Sequence, residues 1–121
     1  MTKPLLAILL LFSFVAASSH SSGFLQNKGD WARRSLEEQL GYVIGHLDGY
    51  LNVVTNDEAS NRHKAKVRKC TREEGITNYD LVEIVEMHYE RLEHFRDSPS
   101  LALINGLIKV CGLSSPSEES P

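Results

Sequence analysis

From Leu36 to Val54 the apolar residues Leu36, Leu40, Val43, Leu47, Tyr50 and Val54 fall alternately four and three positions apart. A helix gathers such residues into one seam with a period of about 3.5. A half-buried strand would need period two, and no stretch of the chain alternates that way for long; Val53-Val54-Thr55, the best strand candidate, ends a helix better than it starts a sheet. The pattern predicts a first long helix over 31–54, N-capped by Asp30, with Ile44 and Leu51 widening its seam. A second helix is predicted over 77–96. Thr77 is its N-cap and Asp80 completes a capping box, while Leu81, Ile84, Val85, His88, Leu92 and Phe95 form one stripe. Ser98-Pro99 restarts the chain into a third helix over 99–111, with Leu101, Ile104, Leu107, Ile108 and Cys111 inward and Gly112 closing it. Between them, 55–69 is a polar, turn-rich connection that can carry a short exposed helix ending at Cys70. The expected fold is all-α, a small bundle of three to four main helices.

The first residues do not fit this pattern. Lys3 precedes an apolar run from Leu5 to Ala17, closed by the small residues Ala16, Ala17, Ser18 and Ser19. That order predicts a cleaved signal peptide at 1–19, the run being short for a bilayer span; a permanent N-terminal anchor is the alternative. The mature domain is then expected at 20–113, with a polar, unfolded tail at 114–121. Loss of Lys3 takes the formal charge from −3 to −4. A mildly acidic domain disfavours nucleic acid and anionic membrane as partners, and the basic run Arg62 to Lys69 lacks interleaved aromatics for base stacking. An exported chain with only two cysteines, Cys70 and Cys111, is expected to join them, although two free buried thiols would satisfy the same sequence. Such a bond closes a loop of about 40 residues, which chain entropy values at up to about 4 kcal/mol.

No catalytic constellation is found. H-E-x-x-H and Cys-x-x-Cys are absent, and both thiols are better explained by the expected disulfide than by Cys–His catalysis. Glu90 and His94 are four apart on a predicted helix face, but without the paired Glu-x-x-His of a di-iron bundle they read as an exposed pair; no metal and no cofactor are expected. Gly41, Gly45 and Gly49 recur every fourth residue, each costing about 1 kcal/mol in a helix interior. This spacing favours close packing of another helix of the same domain, with a groove for a second subunit or a ligand as the alternative. Glu83, Glu86, Glu90, Glu93 and Asp97 make an acidic stripe, which is usually a solvated face; Glu86 with Glu90 and Glu90 with Glu93 set like charges on neighbouring turns, which a basic partner surface would relieve.

Leu40-Gly41-Tyr42-Val43-Ile44-Gly45-His46-Leu47-Asp48, then Cys70, Gly75-Ile76-Thr77, and a Ser-Pro-Ser restart leading to Cys111 follow one another in a specific order. In this order the chain resembles the Rap/Tai immunity proteins of bacterial type VI secretion. It departs from them at Thr71-Arg72-Glu73, where a Pro is usual, and at Gln39, where an extra Cys is frequent. The resemblance implies a periplasmic antitoxin, helical and often dimeric, that occludes the active site of a peptidoglycan amidase. Partner contact is expected on the outer face of 77–96 and the bend from Arg96 to Ser100, through Glu86, Glu90, Glu93, His94, Arg96 and Asp97. A secreted carrier of small apolar ligands is the rival expectation, set back by seams that suggest a filled core.

Overall fold

The computed structural model describes residues 24–115. The signal peptide expected at 1–19 lies outside them, as does the expected tail from 116 onward. The described residues are all-α, with no strand. The elements are a short α1 (Lys28–Ala32), then α2 (Leu36–Asn52), α3 (Glu58–Glu73), α4 (Asn78–His88), a 3-10 turn (Leu92–His94) and α5 (Pro99–Val110). None of these helices is long and apolar enough to cross a membrane.

Each long helix starts on a side-chain cap. Thr77 and Asp80 form the expected capping box on α4, with Asp80 N–H donating to Thr77 Oγ1 at 3.3 Å and Thr77 N–H to Asp80 Oδ2 at 2.6 Å. Ser98 caps α5 through Leu101 N–H, with Pro99 in the first turn, as expected. Two further caps correct the predicted boundaries. Ser35 and Glu38 make a second capping box, so the helix predicted over 31–54 is broken: Trp31 belongs to α1 and α2 starts at Leu36. Asp30 is not a cap; Asn27 accepts from Asp30 N–H at 2.9 Å and starts α1. Asp57 accepts from Ala59 and Ser60 N–H and launches α3, a sixteen-residue, partly buried helix running to Glu73 where at most a short exposed helix ending at Cys70 was expected.

Hydrogen bonds from Thr77 hold the Asp80 carboxyl below its ordinary range, and the Ser35 backbone N–H does the same for Glu38. A depressed native pKa adds stability above the unfolded value of about 4, and that stability is lost as pH falls through the native value. The contribution of these two carboxylates to the urea midpoint is therefore expected to be constant above about pH 5 and to decline below about pH 4. Asp80→Asn with Glu38→Gln should flatten that decline, as read from urea titrations at stepped pH.

The core gathers Trp31, Val43, Val67, Leu81, Val85, Tyr89, Ala102, Leu103 and Leu107, all essentially inaccessible. The main pairing is α4 on α5, and α2 crosses α4. At Gly106 a Cβ would stand 2.3 Å from Ile84 Cγ2 and 3.3 Å from the Ile84 carbonyl, so only glycine lets α5 come this close to α4. The predicted stripes are partly rotated. On α2, Val43 is buried and Leu40, Leu47 and Leu51 pack beside the core, but Leu36 and Val54 are exposed. On α5 the inward residues are Ala102, Leu103 and Leu107, while Leu101 faces solvent.

α3 has little apolar surface and is attached chiefly through polar groups. Lys64 Nζ donates to the Val53 carbonyl at 2.7 Å and Arg68 donates to the Leu51 carbonyl. Two of the carbonyls left open at the end of α2 are thereby satisfied. The basic run thus serves as a helix-end clamp, with His63, Lys64 and Val67 buried. Cys70 and Cys111 are disulfide-bonded, their Cα atoms 5.9 Å apart, which joins the C-terminal ends of α3 and α5. Both ends close in the same way. Gly75 (φ 61°) and Gly112 (φ 62°) take the left-handed conformation, and Ile76 N–H and Leu113 N–H reach back to the Thr71 and Ile108 carbonyls.

Candidate partner-binding surface

α4 stops at His88, eight residues short of its expected end, because tertiary contacts win over local pattern. Tyr89 is buried, and its hydroxyl donates to the Asp97 carbonyl at 2.7 Å. From α1, Lys28 N–H donates to the Phe95 carbonyl at 3.0 Å, while its ammonium reaches the Tyr89 carbonyl and sits 3.8 Å from the centre of the Phe95 ring. Trp31, fully buried, donates from Nε1 to Glu86 at 2.6 Å and accepts at its carbonyl from Gln39 Nε2. α1 is therefore a clasp across the segment from Tyr89 to Ser98.

Inside this bend Asp97 Oδ2 lies 2.8 Å from His88 Nε2 and 3.0 Å from His94 Nδ1. The two imidazole rings lie over each other with centroids 4.1 Å apart. The hydrogen bonds from His88 and then His94 hold the Asp97 carboxyl below its ordinary range; burial pushes the Tyr89 phenol up. Outside, Arg91 pairs with Glu93 at 2.8 Å, and Leu92 is 80% exposed between them. A cavity of about 410 Å³ opens beside the bend between α4 and α5, with Ile84, Met87, His88, His94, Lys109 and Val110 among its walls.

The expected contact residues are thus divided. His94 and Asp97 meet inside the bend, Glu93 and Arg96 are exposed on it, and Glu90 is exposed at its entrance. Glu86 is engaged by Trp31. The Glu90–His94 helix pair and the continuous acidic stripe do not form, since 89–95 is not α-helical and the required register is gone. Sequence reasoning missed Lys28, Tyr89 and Leu92 as parts of this bend, and it placed Leu92 in the core. The one local signal for the inward Tyr89 is its spacing four residues after Val85.

The glycine face corrects a second expectation. Among the described residues nothing lies within 4 Å of a Cβ built on Gly41, Gly45 or Gly49, so none of the described helices packs there. They floor an open groove of about 890 Å³ bounded by Tyr42, His46, Tyr50, Ser98, Leu101 and Ile104, among others. Tyr42 and His46 stack at 4.1 Å, and burial lowers the imidazole's pKa. Without an internal contact to lose, Gly41→Ala, Gly45→Ala and Gly49→Ala should each stabilise the domain by about 0.5–1 kcal/mol, measured by chemical denaturation.

No protein-family model, no curated protein and no solved structure matches this chain.

Proposed function

We propose that this chain is an exported immunity protein that binds a type VI peptidoglycan amidase in the periplasm and blocks its active site. The observation that carries the reading is the bend from Tyr89 to Ser98. It is held by Lys28, Tyr89 and Asp97 from inside, yet it presents an unpaired apolar apex at Leu92 between charged neighbours. A rigid projection of this kind enters a cleft without a large ordering cost. It needs no chemistry of its own, so the protein acts as a stoichiometric inhibitor and not as a catalyst. The disulfide and the signal-like N-terminus fit an oxidising compartment. A homodimer belongs to the same reading, with the open glycine groove of α2 as the face for a second copy; light scattering of the purified protein tests it.

The direct test is co-purification with the amidase encoded beside it, followed by hydrolysis of purified peptidoglycan. One equivalent of the immunity protein is expected to silence the enzyme. An amidase fully active in a large excess of this chain would end the proposal.

A further inference from the structure

The bend brings together three donors that sequence spacing separates, and we propose that His88, His94 and Asp97 form a zinc-class metal site. His88 Nε2, His94 Nδ1 and a carboxylate oxygen of Asp97 lie within 4.8 Å of one another, on half-buried residues. The two nitrogen–oxygen separations are 2.8 and 3.0 Å. A tetrahedral ion at about 2.0–2.1 Å from each ligand would need these edges only slightly wider. Two imidazoles and one carboxylate suit Zn²⁺ and its neighbours better than Mg²⁺ or Ca²⁺, which favour all-oxygen sites.

The surroundings suit a metal in two further respects. To ligate through Nδ1, His94 must carry its proton on Nε2, and that nitrogen stands 3.5 Å from Glu93 Oε1. A carboxylate behind the imidazole is the usual outer partner of a zinc-bound histidine. His88 and His94 also line the cavity between α4 and α5, which leaves the fourth position open. The ion would tie the end of α4 to the middle and the far end of the bend. The site is independent of the inhibitor reading, because its readout is metal binding alone.

The experiment uses the full mature chain, oxidised and free of any affinity tag. Zn²⁺ affinity is measured by competition with a chromophoric chelator, and Co²⁺ is substituted for spectroscopy. One equivalent is expected to bind, His94→Ala to weaken it at least tenfold, Glu93→Gln to weaken it less, and His46→Ala to leave it unchanged. Paramagnetically shifted imidazole resonances from two histidines in the Co²⁺ form of the unaltered chain test the same point without relying on a variant's folding. Absence of one-to-one binding, or a His94→Ala protein with wild-type affinity, or a Co²⁺ spectrum lacking those resonances, overturns the site.

Discussion

Replacing Cys70 and Cys111 together by serine is expected to remove about 4 kcal/mol of stability, the chain-entropy value for a closed loop of about 40 residues. For a domain of this size each kcal/mol is worth roughly 4–8 °C of melting temperature, so the expected fall is roughly 15–30 °C. The loss should not be uniform. α3 packs mainly on α2, and its attachments are the buried His63 and Val67, the Lys64 and Arg68 clamps and the disulfide. α4 and α5, in contrast, share the extensive apolar contact that closes over Gly106. Once the bond is gone, amide exchange should speed first along α3 and the link to Thr77, while Leu103 and Leu107 stay protected up to global unfolding. A double-serine protein that melts within a few degrees of the native one, with α3 still protected, would show that helix packing alone holds α3 in place.

What could be read from the chain, and what could not, divides along the range of the interaction. The Thr77–Asp80 box, the Ser98-Pro99 start and the glycine closure at 112 act within a few residues, and local pattern finds them; the closure at Gly75 is as local but went with the unread end of α3. The Ser35–Glu38 box is equally local, but the apolar seam running through it suggested continuity where the helix stops. α3 was underread because its buried face is made of His63, Lys64 and Val67, which binary patterning counts as mostly polar. The end of α4 carries no Gly or Pro. It is set by Lys28, 61 positions from Tyr89, and by the bond from the Tyr89 hydroxyl to the Asp97 carbonyl eight residues on, and no local window around His88 contains Lys28. The same contacts bring His88, His94 and Asp97 together, a meeting that helix-face spacing, which set Glu90 beside His94, does not show. For α4, propensity and periodicity located the helix, and a distant side chain decided where it ended.

Leu92→Asp is expected to weaken inhibition of the amidase by at least thirtyfold while leaving the fold intact. The side chain is 80% exposed, so its loss removes no core contact and should change stability by no more than about 0.5 kcal/mol. If the apex is buried in a cleft, the substitution gives up about 2 kcal/mol of apolar burial and adds a carboxylate that must be stripped of water. At 1.4 kcal/mol per factor of ten, the apolar loss alone is about thirtyfold. Lys28→Ala provides the contrast. Lys28 lies behind the bend on the Tyr89 carbonyl and the Phe95 ring, so its removal loosens the apex without altering what the apex presents. That variant should lose less affinity, chiefly through a slower association as the bend must be ordered on binding. Titrating both variants against the amidase, with melting curves alongside, separates the two effects. If Leu92→Asp inhibits as tightly as the native chain, the contact surface lies elsewhere, and the open groove over Gly41, Gly45 and Gly49 becomes the face to alter next.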